Sequence, residues 1–316
     1  MILSTLQIVF GLLFLFFGAE GLVRASSSLA KRFGVSPLII GLTIVALGTS
    51  TPELIVSVKA ALAGQPALSV GNVVGSNIFN IAVILGIASI ISPLRVDVKL
   101  LKTDTPIMIV VSCLFAILFI DHRISRFEGS FFIVLVIIYT ALNFILAKKS
   151  GKQDEKKMAE ETSEIKLFKT IYVDLAVLAA GLFILFTGAN WFIAGSVQIA
   201  RAFGISEAVI GLTLVSVGTS LPELATSVVA AIRKNADIAI GNIVGSNLMN
   251  ILCILGISAT ITPIYALDIL IFDIGAMLFF AFLLLPFIRT GYRLERWEGA
   301  ILFSGYMAYL FFRIRL

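Results

Sequence analysis

Residues 33–54 read FGVSPLIIGLTIVALGTSTPEL, and residues 203–224 read FGISEAVIGLTLVSVGTSLPEL, identical at 14 of 22 positions. Residues 71–93, GNVVGSNIFNIAVILGIASIISP, match residues 241–263, GNIVGSNLMNILCILGISATITP, at 14 of 23. Both pairs share one offset of 170 residues, so the chain is an internal duplication. The best-matched segments are rich in Gly, Pro, Ser, Thr and Asn, residues that interrupt apolar helices. A duplication under no functional constraint gives no reason for these segments, rather than the connecting ones, to have kept their sequence.

Around the repeats, the chain of 316 residues is 59% hydrophobic and 14% charged, with a mean hydropathy of +1.05. Soluble globular chains are about 45–50% apolar and about 25% charged, so one water-facing globule cannot hide these side chains. The composition excludes aqueous-enzyme, disordered, collagen-like and disulfide-scaffold classes. Cys113 and Cys253 lie inside apolar runs, where a thiol behaves as a small hydrophobe. The net charge of +5 comes from basic residues scattered through short loops, which argues against a nucleic-acid partner.

A spanning helix needs roughly 20 apolar residues. Ten such runs are present, at about 2–23, 37–62, 67–91, 105–120, 130–147, 170–195, 205–231, 238–262, 268–288 and 298–312. The first lacks a basic leader and a small-residue cleavage site and has a mate in the second copy, so it reads as a span and not a signal peptide. The expected organisation is a first five-helix repeat at 1–147, a charged linker at 148–169 and a second five-helix repeat at 170–316. Eighteen of the 24 Lys and Arg fall in the odd-numbered connections, seven of them in the linker. Positive charge is retained on the cytoplasmic side, so both termini are expected outside and the linker in the cytoplasm, in a multi-pass protein of the plasma membrane. Because five is odd, the second half enters the membrane from the opposite face. The expected fold is therefore an all-α polytopic membrane protein with ten transmembrane helices arranged as two inverted five-helix repeats, an architecture of transporters.

Glu53 and Glu223 sit inside the second and seventh runs. A carboxylate at such depth costs about 2.5–3.5 kcal/mol on insertion scales unless something compensates it. No Lys or Arg lies at similar depth near the motifs. Lys59 is six residues from Glu53, on another helical face, and its mate is Val229. The acids are thus expected either to be protonated or to be neutralised by a cation from solution, with cation binding the favoured reading. Thr49 and Ser50 stand four and three residues before Glu53, and Thr219 and Ser220 repeat this spacing before Glu223, so hydroxyl and carboxylate oxygens share a helical face. Asn72, Ser76 and Asn80 form a stripe in the next helix, and Asn242, Ser246 and Asn250 form its counterpart. Pro52 and Pro222, with Gly48 and Gly218 one turn earlier, are expected to free carbonyls near Ala46 and Ser216. Taken singly, each feature has an ordinary explanation as a kink or a close helix contact. Duplicated together, they form an inventory of hard oxygens that suits Ca2+ and also Na+. With one histidine, His122, in a loop, soft metals are disfavoured. Glu20 faces a repeat position occupied by Asn190 and reads as a helix-end or gating residue, not a ligand.

On GTSTPEL and GTSLPEL, with GNVVGSN and GNIVGSN, the chain resembles the calcium/cation antiporter superfamily, nearest to the prokaryotic sodium/calcium exchangers. The resemblance extends over essentially the whole chain through the 5+5 layout. It implies a midplane site where Glu53 and Glu223 bind Ca2+ and the counter-ion. Thr49, Ser50, Ser76, Asn80, Thr219, Ser220, Ser246 and Asn250 are then further ligands, and Ala46 and Ser216 supply main-chain carbonyls. It also implies that the first and sixth helices slide across a fixed core. The expected activity is secondary antiport of Ca2+ against Na+, with H+ as the alternative counter-ion and a passive cation channel as a further alternative. No enzyme activity and no cofactor are expected. The expected partners are membrane lipid and the transported ions, with a monomer as the expected assembly. One departure stands out: known members carry Asp at one of the positions held here by Asn80 and Asn250, so only two formal charges remain.

Overall fold

The computed structural model describes residues 2–151, 168–203, 216–267 and 269–313, with the side chains of 147–151 and of Ser216 outside that description. Its helices fall at the ten expected positions: α1 Ile2–Phe33, α2 Pro37–Leu62, α3 Pro66–Ile91, α4 Leu100–Asp121, α5 Arg126–Gly151, α6 Ile171–Ala202, α7 ending in Leu221–Ile232, α8 Ala236–Ile261, α9 Ile271–Arg289 and α10 Arg296–Arg313. Seven are uninterrupted and apolar enough to cross a bilayer, and α2 is an eighth crossing in two parts, Pro37–Thr49 (α2a) and Thr51–Leu62 (α2b), bent by 46°. The break follows from sequence: Ser50 leaves helical geometry at φ −81°, ψ 9°, and Pro52 sits in the first turn of α2b. The first part of the second repeat motif, residues 204–215, lies outside the described residues.

Helices α1 and α6 are longer than their apolar runs, 32 residues each. At about 1.5 Å per residue each is about 48 Å long, enough to cross a core of about 30 Å obliquely. They pack with backbones touching. A Cβ added to Gly11 would lie 2.7 Å from the Phe192 amide nitrogen, and one on Gly18 would lie 2.7 Å from that of Leu185. Gly181 and Gly188 are as tightly placed against the Gly18 and Gly11 carbonyls. The ends of the pair are tied by Ser4 Oγ donating to Gln198 Oε1 at 2.8 Å and by Arg32 Nε on Asp174 Oδ2 at 2.6 Å.

The contact of Gly11 with Gly188 becomes, on adding or subtracting 170, the contact of Gly181 with Gly18. The same exchange relates two short antiparallel strand pairs: β1 Leu94–Arg95 with β4 Arg293–Leu294, and β2 Arg123–Ile124 with β3 Ile264–Tyr265. Such reciprocity is the mark of a two-fold axis. Between five-helix halves it gives the inverted arrangement. Helices α3 and α8, buried along most of their length, form the centre, while α1, α5 and α6 bury far less.

One local shift is not visible in the offset. Helix α4 opens with a π-turn at Leu100–Asp104, which absorbs one extra residue. Asp104 therefore matches Asp273 and not residue 274. Tyr139 donates to Asp104 at 3.0 Å just as Tyr309 donates to Asp273 at 2.8 Å. Met108 matches Met277 by the same 169-residue step.

The α1–α6 seam predicts that Gly188→Val, which forces two backbones apart, destabilises the protein by about 1–3 kcal/mol, the usual cost of overpacking. Gly275→Ala on α9, where no described atom lies within 4 Å of the added carbon, should be neutral or mildly stabilising. Thermal unfolding of the detergent-solubilised protein checks both, and equal melting of the two variants would contradict the packing described.

Candidate cation site

The broken helix α2 and its mate α7 point Glu53 and Glu223 to the centre, where each is only 1% exposed. Each acid is held by the opposite half. Ser50 Oγ donates to Glu223 Oε1 at 2.8 Å, and Ser220 Oγ donates to Glu53 Oε1 at 3.0 Å. The Ser76 hydroxyl lies 3.2 Å from that of Ser220. Each acid's other oxygen, Glu53 Oε2 and Glu223 Oε2, is buried without a hydrogen-bond partner, as are Asn80 Oδ1, Asn250 Oδ1 and Ser246 Oγ. Among the described residues no Lys or Arg forms an ion pair with either acid; the ion pairs found involve Glu20, Asp104, Asp174, Asp273 and Glu295. Nor do three or more His, Cys, Asp or Glu gather anywhere among the described residues. The centre is thus two acids surrounded by neutral oxygens.

The remaining motif residues divide into two groups. Thr49 and Thr219 are cross-braced to the other half: Thr49 Oγ1 donates to Asn242 Oδ1 at 3.1 Å, and Thr219 Oγ1 to Asn72 Oδ1 at 3.4 Å. The Asn72 and Asn242 amides donate in turn to Ser57 and Ser227, at 2.9 and 3.1 Å. These two asparagines of the expected stripes are therefore satisfied within the protein, whereas Asn80 and Asn250 present bare carbonyl oxygens. Both latter residues open π-turns, Asn80–Leu85 and Asn250–Leu255.

The expectation that Pro52 frees the Ala46 carbonyl is not met. Ala46 O accepts the Ser50 N–H at 3.0 Å and lies 3.4 Å from the Thr49 hydroxyl. The acceptor four residues before the proline is Gly48. Ser216 opens the short helical turn Ser216–Gly218, and its side chain lies outside the described residues. Two residues that sequence reasoning passed over, Asn77 and Asn247, stand beside Asn250 and Asn80. Their signal was present in the duplicated GSN of both motifs.

Inverted five-helix halves enclosing buried acids and amide oxygens at their interface define a secondary transporter, not an enzyme. The chain belongs to the sodium/calcium exchanger family, whose model, described as sodium/calcium exchanger protein, matches residues 3–145 and 173–315. It is 34% identical to the sodium/calcium exchanger MaX1 of Methanosarcina acetivorans, covering 96% of this chain and 97% of that one. It is 38% identical to the inner membrane protein YrbG of Escherichia coli over 83% of this chain and 81% of that one. A solved structure of the sodium-calcium exchanger NCX_Mj superposes with a TM-score of 0.84 at 31% identity, covering 98% of each chain.

The packing around the site is not symmetric. On the face that carries the linker, Glu20 of α1 accepts Arg233 Nε of α7 at 2.8 Å and also pairs with Arg24. The two-fold mates of Glu20 and Arg233 are Asn190 and Ala63, which form no ion pair. On the opposite face Ile55 of α2b is 48% exposed and Lys59 is exposed, whereas their mates Ala225 and Val229 are half-buried and buried. Thus α1 is tied over α7 on one face, while α2b is the more exposed of the two mates on the other. Glu20 is accordingly an interhelical tie near the gate and not part of the site. Glu20→Gln should loosen the closed face, so that a cysteine introduced at Val229 is labelled faster by an impermeant thiol reagent applied from the linker side. Unchanged labelling would show that the tie does not hold the face shut.

Proposed function

We propose that this protein is a secondary antiporter that exchanges Ca2+ for Na+ by alternating access, with the ions binding between Glu53 and Glu223. The observation that carries the reading is the pair of buried acids, each steadied by a serine of the other half and each with one oxygen unpartnered, with no resident cation among the described residues. An unpaired carboxylate at this depth costs about 2.5–3.5 kcal/mol, and a bound cation offsets that cost. Ca2+ takes about 6–8 hard oxygens. Glu53, Glu223, Asn80, Asn250, Ser50, Ser220, Ser76 and Ser246 offer them at the centre, with the Thr49 and Thr219 hydroxyls and the Ala46 and Ser216 carbonyls at its edge. A hydroxyl whose proton is committed to a neighbour still offers lone pairs to a metal, so the cross-half bonds are compatible with this role.

Exchange follows from charge. With both acids bare, moving the site from one face to the other exposes two uncompensated charges to a low dielectric, and cation binding removes that penalty. Ca2+ and Na+ compete for the same oxygens, so one must leave before the other enters. The two formal charges are balanced by one Ca2+ or by two Na+, which favours two-for-one exchange. The Lys and Arg distribution supports a plasma-membrane orientation with both termini outside and the linker in the cytoplasm. In that orientation the face tied by Glu20 and Arg233 is cytoplasmic and the more exposed side of α2b faces outward.

In proteoliposomes, an outward-directed Na+ gradient should drive uptake of radioactive Ca2+, and a pH gradient alone should not. Glu53→Gln and Glu223→Gln should each reduce uptake to background while the protein remains monodisperse. Near-normal transport by either variant, or uptake with no counter-ion on the opposite face, would overturn the reading. The coupling ratio is checked separately: with two Na+ per Ca2+ the reversal point stays put when the membrane potential is clamped at different values, and a shift corresponding to three Na+ would refute the charge balance.

A further inference from the structure

Asn80 and Asn250 enter the site with the oxygen end of the side chain, and nothing in an asparagine alone makes this so. Its carbonyl and amino ends have nearly the same shape but opposite polarity. The carbonyl end attracts a cation and the amino end repels it. A site built from asparagine therefore needs a second residue to fix the amide.

That second residue is present in both halves. Asn80 Nδ2 donates to Asn247 Oδ1 at 3.0 Å, and Asn250 Nδ2 donates to Asn77 Oδ1 at 2.9 Å. With the amino groups drawn away, Asn80 Oδ1 and Asn250 Oδ1 are left buried and unpartnered, as are Glu53 Oε2 and Glu223 Oε2. Asn77 and Asn247 are themselves fixed by groups that accept and cannot donate. Asn77 Nδ2 faces the Asn247 main-chain carbonyl at 3.4 Å and the Met277 sulfur at 3.9 Å. Asn247 Nδ2 faces the Asn77 carbonyl at 3.5 Å and the Met108 sulfur at 3.6 Å. Flipping Asn77 would set its oxygen against a carbonyl and a thioether, and would also turn its amino group toward that of Asn250. All four asparagines and both methionines are buried.

We propose that Asn77 and Asn247 are positioning residues that hold the Asn250 and Asn80 amides oxygen-first toward the transported cation. The inference rests on the cation site proposed above. It makes a pairing rule: Asn77 serves Asn250, and Asn247 serves Asn80. Aspartate presents oxygen whichever way it is turned, so at position 250 or 80 it dispenses with its partner.

Equilibrium binding of radioactive Ca2+ to the purified full-length protein in detergent tests the rule. Asn77→Leu should weaken Ca2+ binding about tenfold or more, on the scale of losing a hydrogen bond that orders a charged site. Adding Asn250→Asp should restore binding, and adding Asn80→Asp, which brings the same charge, should not. Asn247→Leu should show the reverse pattern. If a leucine variant is not recovered folded, Asn77→Ser and Asn247→Ser, whose hydroxyls are too short to reach the partner amide, carry the same comparison. Binding unchanged in the single variants, or rescue that ignores the pairing, overturns the proposal. Glu53→Gln serves as the reference. If it binds Ca2+ normally, the site itself is misplaced. If it abolishes binding while Asn77→Leu does not alter it, the positioning role alone fails.

Discussion

Two carboxylates lie buried at the centre with no basic side chain paired to them among the described residues, and the rest of the structure is organised around that condition. In water either acid would be ordinary. Here each is 1% exposed, and only one of its oxygens is satisfied, by a serine from the other half of the chain. A structural ion pair would have been the simple remedy, and the protein uses that remedy elsewhere, at Asp104, Asp174 and Asp273. Those pairs sit away from the centre and include partly exposed basic side chains, where water shares the cost. Among the described residues the central acids have no such partner, which leaves a proton or a cation from solution to neutralise them.

The duplication determines how that condition can be met. A single five-helix half carries one acid, one interrupted helix and one row of small polar residues, and none of these can enclose an ion alone. Inversion about a two-fold axis brings the second set against the first, and nearly every bond at the centre crosses between halves: Ser50 to Glu223, Thr49 to Asn242, Asn80 to Asn247. The halves are thus held together through the same groups that form the site. Disturbing the interface and disturbing the site are one event, which explains why the repeat motifs and not the connecting helices retain their sequence.

Much of this was legible in the sequence because the controlling signals are local. The GTSTPEL and GTSLPEL motifs place a proline and an acid together inside an apolar run, and the observed 46° break falls at Ser50 as that composition demands. The helix count and the inverted order followed from hydrophobic length and the constant offset. What was not legible depends on contacts between distant residues. The π-turn at Leu100–Asp104 shifts α4 by one residue, so the correspondence of Asp104 with Asp273 and Met108 with Met277 is hidden from an alignment at 170. The Ala46 carbonyl was expected to be free, but the chain turns at Ser50 in a way that preserves its helical bond. Which asparagines face the centre and which brace it could not be told from an i, i+4, i+8 stripe, since Asn72 and Asn80 differ in their partners, Ser57 and Thr219 for the one and Asn247 for the other.

The departures from symmetry are as informative as the symmetry. Exchanging every residue with its two-fold mate generates a second conformation, in which α6 closes over α2b and α1 withdraws from α7. The two conformations would be equal in energy if the halves were identical. They are not, because Glu20 and Arg233 are replaced by Asn190 and Ala63, so the closed linker face carries a charged tie that the other face lacks when its turn comes to close. A partly exposed pair of this kind is worth little in isolation, on the order of 1 kcal/mol or less. Between two nearly degenerate states that suffices to bias the population several-fold, because each 1.4 kcal/mol corresponds to a factor of ten. Within the exchange cycle proposed above, the tie is a bias toward the state closed on the linker face, and the buried acids are the gate on turnover.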